Sequence, residues 1–171
     1  RNTGALPVDI SESDSIFFDR AVQLALDAEE QGNLPIGAVI SLDGNIIAEG
    51  QNAIWYPTLS LHRHAETEAL RHVPEHLMER SREMTLYTTL APCIMCPGAI
   101  LLHRIGRTLY GSADTYGGGS TVFGHMPTYF EERLAETEWL GPAYPERCDE
   151  LFARATELEQ RLGAPSPRCG W

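Results

Sequence analysis

The stretch Thr85-Leu86-Tyr87-Thr88-Thr89-Leu90-Ala91-Pro92-Cys93-Ile94-Met95-Cys96 joins two kinds of predicted secondary structure. Residues 85–89 are rich in β-branched and aromatic side chains, which is typical of a strand. Pro92 suits the first turn of a helix, and we predict that this helix continues from Cys93 to Leu102. A strand that leads directly into a helix indicates an α/β architecture.

Strands and helices alternate through the rest of the chain as well. Asp43-Gly44 is a typical hairpin turn between two short apolar runs. We therefore expect an α/β fold, a three-layer α/β/α sandwich with a mixed central sheet, in one domain over residues 1–171. Residues 1–12 are expected to form a loose arm and residues 163–171 a tail. The other predicted strands are residues 36–40, 46–48 and 108–110. The other predicted helices are residues 15–30, with Ser13 or Asp14 as N-cap, 64–71, 74–82, 127–135 and 145–162.

The charge of the chain favours a small substrate. The 171 residues carry a formal net charge of -11, and all 13 basic residues are arginines, which excludes a lysine Schiff base. Nucleic-acid binding proteins usually present a basic face, because neutralised phosphates supply much of their affinity. A local basic patch is compatible with an acidic total, yet the balance makes a nucleic-acid partner the less favoured expectation.

The hydropathy pattern predicts a cytoplasmic protein without a membrane segment. No apolar run approaches the roughly 20 residues that a membrane-spanning helix needs. The N-terminus also lacks the basic and then apolar layout of a signal peptide.

Two short motifs supply the ligands of a metal site. They are His64-Ala65-Glu66 and the Cys-x-x-Cys pair of Cys93 and Cys96. In a cytosolic protein such a cysteine pair more often binds metal or takes part in catalysis than forms a disulfide. One histidine and two cysteines suit Zn²⁺, and a zinc ion with three protein ligands keeps a fourth position for water. We therefore predict one catalytic Zn²⁺ per subunit, held by His64, Cys93 and Cys96.

Glu66 has a different predicted role. It lies two residues beyond His64, so on a helix the two side chains are poorly placed to chelate one ion. A carboxylate beside an activated water is suited to general acid–base catalysis. We predict that Glu66 carries protons during hydrolysis. Both motifs are expected to begin helices, and helix N-termini favour the thiolate form of Cys93 and Cys96.

Two other interpretations of the cysteines have weaker support. A structural zinc site needs four closed ligands, and no second cysteine pair with suitable spacing exists, although His62 or His103 could complete such a site. A redox role for the Cys-x-x-Cys pair does not account for the His-x-Glu motif. Cys148 and Cys169 have no partner motif and are interpreted as structural or incidental.

His-x-Glu followed by Pro-Cys-x-x-Cys is the signature of zinc deaminases that act on nucleobases. The chain resembles the cytidine deaminase-like superfamily, in the branch of tRNA adenosine deaminases, guanine deaminases and fungal-type cytosine deaminases. The similarity runs from about Phe17 to Gly111. The further motifs that carry it are Leu34-Pro35-Ile36-Gly37-Ala38, Gly50-Gln51-Asn52, Thr85-Leu86-Tyr87-Thr88-Thr89-Leu90 and Pro97-Gly98-Ala99-Ile100.

This resemblance implies roles for particular residues. It assigns the zinc ligands and the proton shuttle as above. It implies that Asn52 hydrogen-bonds the substrate base and that the peptide N–H of Ala65 contacts a carbonyl or ring edge. It also implies a homodimer, because members of this branch usually pair through helices near the active site.

The chain departs from the tRNA enzymes after Tyr110. Those enzymes continue with Asp-x-Lys-x-Gly-Ala, whereas here the string is Asp114-Thr115-Tyr116-Gly117-Gly118-Gly119, and the last helix is not basic. In an ungapped comparison, Tyr116 falls where cytosine deaminases place an aromatic residue against the base, so we predict that Tyr116 binds substrate. The glycine-rich segment is expected to be either a flexible connection or a pocket wall or lid. Further candidates for the pocket are Trp55, Phe123 and Trp171.

These observations predict a zinc-dependent hydrolytic deaminase of a free nucleobase or similar small aminated heterocycle, cytosine- or guanine-like, that releases ammonia. The alternative is a tRNA-specific adenosine deaminase that converts adenosine to inosine. An interpretation from a different class is a non-catalytic zinc-binding scaffold.

Overall fold

A computed structural model describes residues 8–161 of the chain. Within these residues, five strands form a single mixed sheet in the order β2-β1-β3-β4-β5. The strand β1 pairs antiparallel with β2 and β3, and β4 pairs parallel with β3 and β5. The mixed sheet predicted from the sequence is confirmed. The strands are β1 (Gly37–Leu42), β2 (Asn45–Gln51), β3 (Thr85–Leu90), β4 (Arg107–Ser112) and β5 (Glu138–Leu140).

Helices cover both faces of the sheet. They are α1 (Glu12–Glu30), α2 (Ala65–Arg71), α3 (Met95–Leu102), α4 (Thr128–Ala135) and α5 (Pro145–Arg161), with 3-10 helices at Glu75–Glu83 and Gly119–Val122. Successive side chains of a strand point to opposite faces. Ile40 and Leu86 accordingly pack in one core cluster with residues of α2 and α3, whereas Val39 and Tyr87 pack in another with residues of α1. The α/β/α layering is confirmed.

The fifth strand was not predicted. It is only three residues long, which is too short to show a period of two in the sequence. It forms because Glu138 N donates a hydrogen bond to Gly106 O at 2.9 Å, beside the edge of β4.

The N-terminal boundary of α1 corrects two predictions. Ser11, not Ser13 or Asp14, is the N-cap, because its side chain accepts from Asp14 N while Asp14 Oδ2 accepts from Ser11 N. Residues 8–12 are not a loose arm, since Val8 N donates to Pro142 O and Ile10 packs against a core cluster. Residues 1–7 and the predicted tail at 163–171 lie outside the described residues.

Two other helix predictions are corrected. The helix predicted at 74–82 is a 3-10 helix over Glu75–Glu83. The helix predicted from Cys93 begins at Met95 instead, because Cys93 forms an isolated β-bridge with Gly118. In the part of the chain that the structure describes, no helix is both long and apolar enough to cross a bilayer.

One close approach positions α2 on the sheet. A side chain at Gly50 in β2 would overlap the carbonyl oxygen of Ala65 in the first turn of α2. Glycine therefore lets the start of α2 lie directly against the sheet, and His64 immediately precedes that turn.

Candidate active site

The metal-binding side chains meet where α2 and α3 begin. His64 is the N-cap residue of α2, and Cys93 and Cys96 flank the start of α3. His64 Nδ1 lies 3.4 Å from Cys93 Sγ and 3.6 Å from Cys96 Sγ, and the two sulfur atoms are 3.5 Å apart. The structure thus brings together the three ligands that the sequence predicts.

These distances fit a tetrahedral zinc ion. With Zn–S bonds of about 2.3 Å and Zn–N bonds of about 2.0 Å, tetrahedral angles place two sulfurs about 3.8 Å apart and a nitrogen and a sulfur about 3.5 Å apart. Among the described residues, His64, Cys93 and Cys96 are the one group with metal-binding geometry. His62 contacts Ser60 and His103 contacts Ala99 O, so neither completes a closed four-ligand site.

The electrostatics of the cysteines suit metal binding. A hydrogen bond from Cys96 and the adjacent His64 lower the pKa of Cys93 to about 4, although burial opposes this. The same hydrogen bond raises the pKa of Cys96, which is the donor. The thiolate is the form of cysteine that binds metal.

Glu66 lies beside this group without belonging to it. Its carboxyl group is 3% exposed. Oε1 accepts a hydrogen bond of 2.7 Å from Thr88 Oγ1, and Oε2 lies 3.4 Å from Cys96 Sγ. Burial raises the pKa of Glu66, and the nearby His64 and the bond from Thr88 oppose the rise. A buried carboxyl group next to the metal donors is placed as a general acid–base group requires.

A cavity of about 370 Å³ opens in front of the metal donors. Its wall is mostly apolar, with a few polar groups, which is typical of a small-molecule or base pocket. It is lined by His64, Ala65, Glu66 and Cys93, and by Leu34, Ile36, Ile54, Trp55, Leu61, Leu90, Ala91, Ile94, Asp114, Gly117 and Glu159.

Asn52 does not itself line this cavity, but it is hydrogen-bonded to two residues that do, Ile36 and Ile54, and it has an unused hydrogen-bond donor. It directly follows β2, is 1% exposed, and its Oδ1 accepts from Ile54 N at 3.3 Å. Within residues 8–161, no acceptor lies within reach of its Nδ2. A buried donor without an acceptor costs free energy, so it is suited to be completed by a ligand. Ala65 lines the cavity as the first residue of α2, where backbone N–H groups have no partner within the helix.

The predicted aromatic contacts are only partly found. Tyr116 is 90% exposed and does not line the cavity, because Asp114 Oδ1 accepts from the backbone N–H groups of Tyr116 and Gly117 in a turn that leaves the ring outside. Phe123 packs edge-on against Trp139 with ring centroids 5.2 Å apart and does not line the cavity either. Trp55 does line it. Trp171 lies outside the described residues.

The glycine-rich segment forms part of the cavity wall. Gly117 lines the cavity, Gly118 forms the β-bridge with Cys93, and Gly119 N donates to Pro92 O at 2.7 Å. Any side chain at Gly119 would overlap the backbone of Cys93. This supports the pocket-wall interpretation of the segment rather than a flexible connection.

The sequence analysis missed two residues of the site. Glu159 lines the cavity from α5, far from both motifs along the chain, and no motif marks it. Thr88 contacts Glu66 from the central strand β3. The period of two along β3 could have placed Thr88 on the same face as Leu86, toward α2 and α3.

The fold and the three-ligand site with its adjacent carboxyl group define a zinc deaminase. Residues 11–112 match the family described as the cytidine and deoxycytidylate deaminase zinc-binding region, and the chain belongs to this family. It is an enzyme, a zinc-dependent hydrolytic deaminase.

Comparison with known proteins bears on the substrate. The chain is 38% identical to a tRNA-specific adenosine deaminase of Bacillus subtilis over 82% of this chain and 86% of the relative. A solved structure from studies of A-to-I editing by deaminases at the wobble position of transfer RNA is also 38% identical, with a TM-score of 0.61 over 67% of this chain and 91% of that one. A guanine deaminase from Nitrosomonas europaea, 16% identical with a TM-score of 0.64 over 91% of this chain and 90% of that one, shares the fold.

The predicted free-nucleobase substrate is wrong by this comparison. That prediction depended on the net charge and on Tyr116. Net charge sums over the whole surface and does not describe the surface around one cavity, and Tyr116 does not line the cavity.

Proposed function

We propose that this protein deaminates adenosine to inosine at the wobble position of transfer RNA. The observation that carries the proposal is the 38% identity to a tRNA-specific adenosine deaminase across 82% of the chain. The match extends well beyond the motifs that all zinc deaminases share. The apolar wall of the cavity and the nearby Asn52 amide, whose Nδ2 has no partner within residues 8–161, are consistent with a flipped-out base, the form in which nucleic-acid deaminases take their target.

His64, Cys93 and Cys96 would hold the zinc ion. Bound there, Zn²⁺ supplies a Lewis acid that lowers the pKa of water to about 7 and so provides a nucleophile at neutral pH. Glu66 takes a proton from the attacking water and delivers it to a ring nitrogen of adenine. Glu66 then transfers the second proton to the exocyclic amine, which leaves as ammonia, and the oxygen of the water becomes the carbonyl oxygen of inosine.

Residues in and beside the cavity hold the base in place. The amide Nδ2 of Asn52 donates to an acceptor on the adenine ring, and the peptide N–H of Ala65 contacts the ring edge. The apolar side chains of Leu34, Ile54 and Leu90 exclude bulk water from the reacting atoms. Excluding water strengthens every electrostatic interaction with the developing charge.

The acidic chain still has a local surplus of positive charge that suits RNA. Most arginines of the described residues are each matched by at least one carboxylate. Arg82 and Arg104, however, share one carboxylate, that of Glu136. Arg133 adds a third positive charge, with its guanidinium 3.7 Å from the centre of the Tyr129 ring. Burial and the neighbouring charges of Arg104 and Arg133 lower the pKa of Arg82. Such a cluster is suited to contact a phosphate backbone.

The test is inosine formation in a synthetic anticodon stem-loop with adenosine at the wobble position. We expect inosine with the parent protein and roughly a hundred- to ten-thousandfold slower formation with Glu66→Gln. A stem-loop with guanosine at the same position is the matched control. Binding should weaken as salt rises, because phosphate contacts release counterions. Deamination of free cytosine or guanine with no inosine in the stem-loop would overturn the proposal.

We further propose a homodimer that acts in the cytoplasm, where its transfer RNA substrate is found. Ile94, immediately before α3, is 61% exposed, and Leu102, the last residue of α3, is 55% exposed. The two side chains lie eight residues apart, on one side of the helix. Apolar side chains exposed in this way favour contact with a second copy. Light scattering after gel filtration should give twice the mass of the 19.0 kDa chain. Ile94→Glu combined with Leu102→Glu should give the monomer mass, and a monomeric parent would contradict the proposal.

A further inference from the structure

Thr88 makes a contact that none of the assigned roles includes. It lies in the central strand β3, is fully buried, and its hydroxyl donates a hydrogen bond of 2.7 Å to Oε1 of Glu66. Its backbone is held on both sides, since Thr88 faces Ala38 in β1 and Tyr110 in β4. The hydroxyl is therefore attached to a strand that is paired on both sides.

The two oxygens of Glu66 have different surroundings. Oε1 is held by Thr88, whereas Oε2 lies 3.4 Å from Cys96 Sγ, on the side of the metal donors. A glutamate side chain has three rotatable torsions, so one fixed oxygen strongly limits where the other can be. The hydrogen bond thus selects the rotamer in which Oε2 faces the reaction space.

Glu68, a second buried glutamate of α2, is held by a different kind of contact. It lies two residues further along α2, is also buried, and is held by the guanidinium groups of Arg63 and Arg71. Glu66 has no arginine partner among the described residues. Its fixed oxygen depends on a neutral hydroxyl, which orients the carboxylate without placing a positive charge beside it.

We propose that Thr88 is a positioning residue that aims the Glu66 carboxylate at the reacting water and base. This inference rests on the proton-transfer role proposed for Glu66. Thr88 itself touches no reacting atom and acts through Glu66 alone. Displacement of a catalytic group by about 1 Å can cost roughly a hundredfold in rate.

The test compares variants at one position. Thr88→Val keeps the branched shape and removes the hydroxyl, so we expect kcat to fall between about tenfold and about a hundredfold, with KM nearly unchanged because no substrate contact is lost. Thr88→Ser keeps the hydroxyl and should recover most of kcat. If the valine variant does not fold, Thr88→Ala removes the same hydroxyl with less steric demand and is measured in its place.

Thr108 provides a matched control. It is also fully buried, lies on the neighbouring strand β4, and its Oγ1 has no hydrogen-bond partner within residues 8–161. Thr108→Val makes the same chemical change at equal depth without touching Glu66. Its kcat should equal that of the parent, and its melting temperature should not fall.

Two further measurements separate positioning from general stability. The infrared difference spectrum between the parent and Glu66→Gln identifies the carboxylate stretching band of Glu66. This band should shift in Thr88→Val, because the hydrogen bond to Oε1 is lost. In the Glu66→Gln background, Thr88→Val should cause no further loss of kcat. Parent-like kcat in a folded Thr88→Val or Thr88→Ala variant, or no rescue by serine, would overturn the inference. A parent that makes no inosine would instead refute the proposed substrate.

Discussion

Tyr87 and Thr88 are neighbours on β3, and their hydroxyls bind carboxylates on opposite faces of the sheet. Tyr87 donates to Asp14 Oδ1 at 2.7 Å, and Thr88 donates to Glu66 Oε1 at the same distance. The hydrogen bond to Asp14 connects α1 to the sheet, and the hydrogen bond to Glu66 lies in the active site. Two adjacent residues thus contribute separately to stability and to catalysis. We expect loss of the first hydrogen bond to lower the free energy of unfolding and loss of the second to lower kcat.

Asp14→Asn should destabilise the fold with little effect on catalysis. Asp14 is buried and also pairs with Arg107 at 2.7 Å. The change leaves Arg107, which is partly exposed, with Glu138 at 3.5 Å as its remaining ionic partner, and loss of a charged hydrogen bond of this kind costs about 1.5–3 kcal/mol of the free energy of unfolding. Urea unfolding measures the cost, and kcat at 20 °C should stay near that of the parent. A large loss of kcat in the folded variant would contradict this assignment.

Glu68 should make stability depend on pH in the acid range. Burial alone would raise its pKa, but hydrogen bonds from Arg63 and Arg71 prevail and lower the pKa from its usual value of 4.5 to about 2. A carboxyl group whose pKa is lower in the folded state contributes stability above the unfolded pKa. This contribution is lost as pH falls from about 4.5 toward about 2. Glu68→Gln should flatten the decline in the urea midpoint over this range.

Removing a zinc ligand should abolish activity and lower stability together. Cys96→Ser removes a buried donor from the three-ligand group, so zinc content measured by mass spectrometry should fall well below one per chain. Metal binding that depends on the folded site adds to the free energy of folding. Cys148→Ala is the control, because Cys148 is equally buried and lies outside that group. Its zinc content should remain at one per chain.

Asn52→Asp should lower activity while leaving zinc in place. The change keeps an oxygen that accepts from Ile54 N but removes the Nδ2 donor that has no partner within residues 8–161. Loss of a hydrogen bond to the base, combined with a new repulsive oxygen, should reduce kcat/KM by about a hundredfold. Steady-state kinetics on the stem-loop measure this, with zinc content as the internal control. Undiminished kcat/KM would show that the amide does not contact the base.

Trp55 and Tyr116 should respond differently to truncation. Trp55 lines the cavity, so Trp55→Ala should raise KM for the stem-loop by about tenfold or more, since base–aromatic stacking is worth about 1–3 kcal/mol. Tyr116→Ala removes a ring that is 90% exposed and should leave KM within about twofold. An equal or larger effect at Tyr116 would restore the substrate-binding role that the sequence predicted for it.

The parts of this protein that local chemistry determines could be predicted from its sequence. The metal ligands follow from residue types and spacing, and the layering follows from alternating strands and helices. The strand β5 could not be predicted, because it depends on pairing with β4, which is distant in sequence. The cap at Ser11 could not be predicted either, because hydrophobic periodicity does not distinguish Ser11 from the neighbouring polar residues Ser13 and Asp14. The same limit explains Glu159, which reaches the cavity only through the packing of α5.

Tyr116 shows why the substrate was harder to predict than the reaction. An ungapped comparison treated its position as part of the pocket. The turn at Asp114, however, accepts two backbone N–H groups and directs the Tyr116 ring outward. In a turn, rotation of one peptide can reverse the direction in which a side chain points. At the start of a helix the backbone geometry is regular, so the direction of a ligand side chain is easier to predict.

The bridge between Cys93 and Gly118 restricts how substrate preference can be altered in this enzyme. Because one wall of the cavity is attached to a metal ligand, enlarging the cavity on that side would displace the ligand and weaken the reaction itself. The opposite side is formed by residues of other elements, with Trp55 in the loop after β2 and Glu159 in α5. Directed libraries aimed at a new base should therefore diversify Trp55 and Glu159 and keep residues 114–119 unchanged.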